Sequence, residues 1–178
     1  MNQPITEYQV SYAVKEWLLE HKWDVIAYNP PGSQGTFTIP NPSKDASYRG
    51  QTGSESPDIV AVNGDNVLVV EAKPKVNLND ANKLKSLSGN DPKLDVFREL
   101  IIKVCNANQI PITQNIKFYW ATATADDPLE IDWLGHIKVS VNQPMNMSNL
   151  KADVDYYSYF VCELTTAKVW DAEFVKLF

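Results

Sequence analysis

The spacing of hydrophobic and polar residues changes several times along the chain, and each change marks a predicted element. Apolar residues recur every three or four positions between Glu7 and His21, which predicts an amphipathic helix. Residues 59–62 and 67–70 are apolar runs on either side of a polar Asn-Gly-Asp-Asn turn, which predicts a β-hairpin. Asp91-Pro92 marks the start of a second helix. Shorter apolar runs predict strands at residues 23–28, 116–122, 135–141 and 156–164.

The register of the predicted hairpin places two acidic side chains opposite each other. If Asn63 pairs with Asn66, Asp58 lies directly opposite Glu71, and opposed residues have Cβ atoms roughly 4.5–5.5 Å apart. Side chains alternate between the faces of a strand, so Lys73 lies on the same face as Glu71. A bulge would shift the register by one residue and move Asp58 to the other face.

Charged side chains on an apolar face need a physical reason, because burying a charge is costly unless it is paired or binds a metal. Carboxylate oxygens at this separation suit Mg²⁺, which proteins usually hold with one or two carboxylates plus phosphate and water. A lysine beside the metal can orient water or stabilise charge that develops on the phosphate. The alternative is a hairpin edge that carries a Glu–Lys surface pair.

Pro57-Asp58, twelve intervening residues and then Glu71-Ala72-Lys73 resembles the motif of the PD-(D/E)XK nuclease superfamily. The resemblance implies an α/β fold with a restriction-endonuclease-like core, in which helices flank a mixed β-sheet. It also implies Mg²⁺-dependent phosphodiester hydrolysis, with Mn²⁺ as a substitute. Asp58 and Glu71 would be metal ligands, and Lys73 would assist the attacking water. Members include restriction enzymes, repair nucleases and junction resolvases, so the motif does not name the substrate.

Many members of that superfamily add an acidic residue from the first helix, and Glu7 is the candidate here for a further metal ligand. Thr6 and Gln9 form a predicted capping box at the start of this helix, and Glu7 lies on its inward side. The alternative is that Glu7 only complements the helix dipole. The resemblance also implies a polar contact from the helix after the catalytic strand, for which Arg98 or Lys93 is the candidate.

The chain has a formal net charge of −6, which argues against broad affinity for nucleic acids. Residues 73–103, however, carry seven basic and four acidic residues, a net charge of +3 that could grip phosphates. Residues 29–56 form a long loop rich in Pro, Gly and Ser, of a kind that is often functional. For each side chain in these segments the alternative is a solvated surface. The candidate nucleic-acid contacts are Lys44, Arg49 and Gln51 in the loop and Lys75, Lys83, Lys85 and Arg98 in the basic segment.

With 178 residues, one domain that spans residues 1–178 is the default expectation. No apolar run is long enough to span a membrane and no signal peptide is evident, so we expect a cytoplasmic protein. Cys105 and Cys162 are then expected to be buried free thiols. The chain has no Cys/His cluster, which leaves zinc poorly supported.

The sequence therefore favours a Mg²⁺-dependent DNA endonuclease of restriction type. One site per chain and two strands to cut suggest a homodimer, and a separate partner subunit could supply DNA recognition. Branched or single-stranded DNA, or RNA, are alternative substrates. A second hypothesis is a non-catalytic subunit or regulatory protein that keeps the nuclease fold. A third is an unrelated α/β interaction module in which the three charged residues coincide by chance.

Overall fold

A computed structural model describes residues 4–33, 37–40, 42, 55–89, 91–142, 160–165 and 169–178. Within these ranges the chain forms six strands and four helices. In chain order they are α1 (Glu7–Glu20), β1 (Asp24–Tyr28), β2 (Ile59–Asn63), β3 (Asn66–Ala72), α2 (Leu78–Ser88), α3 (Asp91–Ala107), β4 (Lys117–Thr124), β5 (Gly135–Val141), β6 (Phe160–Thr165) and α4 (Ala172–Val175).

The strands form one mixed, open sheet in the order β1-β2-β3-β4-β5-β6. Neighbouring strands are antiparallel from β1 to β3, parallel from β3 to β5, and antiparallel again between β5 and β6. The return from β3 to the parallel strand β4 needs a long crossover, which α2 and α3 supply. The predicted α/β class, with a mixed sheet flanked by helices, is confirmed.

The hairpin of β2 and β3 has the predicted register. Asn63 pairs with Asn66 and Ile59 pairs with Val70, so the next position outward brings Asp58 opposite Glu71. The turn needs a left-handed residue, and Gly64 provides it with a φ of 58°. A bulge does occur in the sheet, but it lies between β1 and β2 and leaves the hairpin intact.

Each face of the sheet has its own apolar core. On one face α1 packs against the sheet, together with the C-terminal segment 170–178, which includes α4. On the other face α2 and α3 cover β1 to β4. Glu71 belongs to the second face, because it lies two and four residues after Val69 and Val67, which contact those helices.

Most predicted elements are present with boundaries shifted by a few residues, and β5 matches residues 135–141. The helix α1 has the predicted capping box at Thr6 and Gln9. Of the strand predicted at residues 156–164, the part from 156 to 159 lies outside the described residues. The helix α2 was not predicted, because the segment after Lys73 is polar and was assigned no element from the sequence.

Two smaller expectations can also be compared with the structure. Cys105 and Cys162 are buried free thiols, as predicted. No helix in the described ranges is both long enough and apolar enough to cross a bilayer.

Candidate active site

Asp58 and Glu71 meet where β2 begins and β3 ends. The Asp58 carboxylate accepts a hydrogen bond from the backbone N–H of Ala72, with Oδ2 at 2.9 Å, which ties its side chain to β3. Asn29, just after β1, holds the backbone on the other side. Its N–H donates to the carbonyl of Asp58 at 2.8 Å, and its Nδ2 donates to the carbonyl of Pro57 at 2.7 Å. The position of Asp58 is thus fixed from both neighbouring strands.

Glu71 is nearly inaccessible, with 2 % of its surface exposed. Its Oε1 forms an ion pair with Nζ of Lys83, at a distance of 2.7 Å. Burial, and after it the negative charge of Asp58, raise the pKa of Glu71 to about 8, although Lys83 opposes the shift. At neutral pH the Glu71 carboxyl group therefore keeps its proton for most of the time.

Lys73 lies just beyond β3 and forms an ion pair with Glu7 of α1. Partial burial lowers the pKa of Lys73, but the hydrogen bond to Glu7 and the charges of Asp58, Glu7 and Asp80 outweigh it and raise the pKa overall. Lys73 is consequently protonated at neutral pH. Glu7 is therefore close to the predicted site, and its direct partner there is Lys73.

The helix α2 adds two charged residues to the site. Asp80 is buried, with 8 % of its surface exposed, and Lys83 follows it by one helical turn. Burial raises the pKa of Asp80, and the charge of Asp58 raises it further, while Lys73 and Lys83 act against the shift. Asp80 was not predicted from the sequence as a site residue. The signals that could have revealed α2 are Asn77, which caps it, and the apolar positions Ala81, Leu84 and Leu87.

The cluster as a whole has more negative than positive groups. Four carboxyl groups come together with two ammonium groups. A divalent cation would offset the excess, and hard oxygen donors such as Asp58 and Glu71 fit Mg²⁺. Across the described ranges, however, no three His, Cys, Asp or Glu side chains are spaced as a ready-made metal site.

The segment that leads into Asp58 is held by charged side chains from α2 and α3. Lys83 donates to the carbonyl of Ser56 at 3.1 Å. Lys93, buried on α3, forms an ion pair with Glu55 at 2.8 Å. The backbone of Glu55 forms a short antiparallel bridge with Ile39. Lys93 therefore contacts the segment before Asp58 and not the carboxylate pair itself.

The predicted nucleic-acid contacts fall into three groups. Lys75 and Lys85 are exposed to solvent, whereas Lys83 is turned toward Glu71. Arg98 donates to the carbonyl of Ile116 at 3.3 Å and lies over the ring of Phe118, near the start of β4. Phe118 is four residues before Thr122, which is the partner of Glu71 on β4. That separation is about 13 Å along the strand. Lys44, Arg49 and Gln51 lie outside the described residues.

A row of polar residues continues from Glu71 across the sheet. Thr122, His136 and Thr165 follow it on β4, β5 and β6 as successive partners in register. His136 is buried between the hydroxyl groups of Thr124, at 2.9 Å, and Thr165, at 2.6 Å. Burial, with the nearby charge of Lys138, lowers its pKa to about 4, so His136 is neutral at physiological pH.

No protein-family model matches this chain, no curated protein is detectably similar to it, and no solved structure matches it.

Proposed function

We propose that this protein is a Mg²⁺-dependent endonuclease of restriction type that hydrolyses phosphodiester bonds in DNA. The observation that carries the proposal is the buried Glu71 carboxyl group beside Asp58, with Lys73 two residues further along the chain. A carboxyl pair of this kind is unfavourable in the free protein and becomes favourable when a cation is present. Perturbed acidic groups of this kind are concentrated at functional sites.

Each charged residue has a distinct role in this proposal. Asp58 and Glu71 would hold Mg²⁺, and Mn²⁺ could replace it. When bound, the ion lowers the pKa of a coordinated water and offsets negative charge on the phosphate. Glu71 must lose its proton before it can act as a ligand. Lys73 is protonated, so it can donate hydrogen bonds to the attacking water or to the phosphate but cannot accept a proton. Glu7 orients Lys73 through their ion pair.

The order of elements supports the same proposal. A helix, a strand and a hairpin are followed by helices and a strand parallel to the second arm of the hairpin. This is the order that the resemblance to PD-(D/E)XK nucleases implies. A duplex has two strands and each chain has one site, so we further propose that the active form is a homodimer. DNA recognition would be supplied either by this dimer or by a separate partner subunit.

A second candidate function is a non-catalytic binding or regulatory protein with the same scaffold. The observation that favours it is the pairing of both lysines, Lys73 with Glu7 and Lys83 with Glu71. Paired charges of this kind also occur in purely structural clusters. The excess of carboxyl groups over lysines argues for the nuclease, because a structural cluster is more favourable when its charges balance.

The decisive experiment is a cleavage assay on supercoiled plasmid, linear duplex, single-stranded DNA, a branched junction and RNA. Each substrate is incubated with Mg²⁺, Mn²⁺ or EDTA. We expect cleavage of at least one DNA substrate with a metal and none with EDTA. Asp58→Asn and Lys73→Met should lower the rate by at least about a hundredfold.

The matched control is Asp95→Asn, which removes an exposed carboxylate from α3 and should leave the rate unchanged. Absence of cleavage on every substrate, together with no binding of Mn²⁺ in a calorimetric titration, would refute the nuclease proposal. Binding of DNA without cleavage would favour the second candidate.

A further inference from the structure

Lys83 has a contact that a lysine reserved for phosphate would not need. Its Nζ lies 2.7 Å from Oε1 of Glu71 and 3.1 Å from the carbonyl oxygen of Ser56. The first partner is at the end of β3 and the second is two residues before Asp58. The ammonium group is thereby held between the two strands that carry the carboxyl pair.

The position of Lys83 on its helix explains why it points there. Ala81, Leu84 and Leu87 bury one side of α2 against the sheet, and Lys83 lies at the border of that side. Its side chain is 35 % exposed, whereas that of Glu71 is 2 % exposed. The ammonium group therefore has a route to solvent, and the carboxyl group does not.

We propose that Lys83 is a positioning residue that acts as an internal counterion for the ionised form of Glu71, and that a divalent cation must displace its ammonium group to reach that carboxylate. The inference rests on the proposed function, because it concerns the same carboxyl pair. Lys83 stabilises the site when no metal is bound and competes with the metal when one arrives. Displacement frees the ammonium group toward solvent, to which the Lys83 side chain is already partly exposed.

Calorimetric titration with Mn²⁺ alone, at a pH above the pKa of Glu71 so that a proton does not compete with the metal, tests the competition. Lys83→Gln removes the competing charge and should bind Mn²⁺ about tenfold more tightly than the wild-type protein. Lys83→Arg keeps a cation and should bind Mn²⁺ no more tightly than the wild type. The control is Lys85→Gln, which makes the same change of net charge on the exposed side of the same helix and should have little effect.

Chemical acetylation, with the modified lysines identified by mass spectrometry, tests the displacement without any substitution. The rate at Lys83 should rise when Mg²⁺ is added, because the ammonium group is released from Glu71, and the rate at Lys85 should not change. The displacement is refuted if the rate at Lys83 stays the same in Mg²⁺ concentrations that saturate the protein.

The failure of this inference is distinguishable from the failure of the proposed function. Metal-dependent cleavage with equal Mn²⁺ affinity in wild type and Lys83→Gln overturns the role of Lys83 alone. Absence of both Mn²⁺ binding and cleavage in every variant overturns the inference and the proposed function together. Tighter binding in Lys83→Gln but not in Lys85→Gln supports the inference, whether or not the tested DNA is cut.

Discussion

At the scale of single residues, burial and a neighbouring carboxylate act together on Glu71. Both favour the protonated form, and they raise its pKa from 4.5 to about 8. Ion pairs elsewhere in the site work in the opposite direction, since Glu7 helps to keep Lys73 charged. Glu71 therefore holds a proton at neutral pH, whereas Lys73 is already protonated and cannot accept one.

The first prediction follows from this proton. Between pH 4.5 and about 8 the folded protein keeps a proton on Glu71 that the unfolded chain has released. The free energy of unfolding in EDTA should thus fall as pH rises through this range, by the contribution of this group. Glu71→Gln imitates the protonated acid and should remove that contribution. Urea unfolding at half-unit pH steps gives the difference between the two proteins.

Other titrating groups, His136 among them, are present in both proteins and largely cancel in the difference. The control is Glu99→Gln, an exposed change on α3 that should reproduce the wild-type pH dependence. If Glu71→Gln and the wild type have parallel stability curves between pH 4.5 and 8, Glu71 does not hold the proton that we assign to it.

The residues that could be predicted differ from those that could not in how their contacts arise. Asp58 and Glu71 were predicted to meet because a short polar turn fixes the register of a hairpin, so local signals suffice. Asn29 grips Asp58 from 29 residues earlier in the chain. The spacing of residues does not predict this hydrogen bond, because the bond depends on how β1 is placed beside β2.

At the scale of elements, the site depends on a helix that the sequence did not reveal. The segment that forms α2 is polar, and its exposed Leu78 blurs the apolar pattern. What makes it a helix in this fold is packing of Ala81, Leu84 and Leu87 on the sheet, since tertiary contacts commonly outweigh weak local preferences. Lys83 was therefore predicted as a phosphate contact, and its contact with Glu71 could not be foreseen.

The second prediction compares two leucines on α2. Leu84 is 1 % exposed and Leu78 is 62 % exposed. Leu84→Ala should lower the free energy of unfolding by about 2–5 kcal/mol because it leaves a cavity under the helix. Leu78→Ala should change it by less than about 0.5 kcal/mol. Urea unfolding of both variants is the measurement, and equal effects would mean that α2 does not pack on the sheet as described.

At the scale of the whole molecule, the net negative charge opposes nucleic-acid binding, and under the proposed function a bound metal would reduce this opposition. The chain has a net charge of −6, and above its pKa of about 8 Glu71 places a second negative charge beside Asp58. The basic residues between 73 and 103 offset this only locally. We therefore expect weak DNA binding in EDTA and stronger binding with a divalent metal.

The third prediction separates the charge of the site from the charge of the surface. Asp58→Asn combined with Glu71→Gln removes two negative charges from the site at pH 9, above the pKa of Glu71. Asp95→Asn combined with Glu99→Gln removes two from the surface of α3. Fluorescence anisotropy with a labelled duplex in EDTA should give several-fold tighter binding for the site variant than for the surface variant. Equal affinities would show that the carboxyl pair does not face the DNA.

The measurement that tests the central claim most directly is the location of Mn²⁺ in a crystal of the wild-type protein, found by anomalous diffraction. We expect one ion within about 2.5 Å of an oxygen of Asp58 and of Glu71, with the ammonium group of Lys83 moved away from Glu71. The proposal is contradicted if Mn²⁺ is found elsewhere or not at all while Lys83 stays against Glu71.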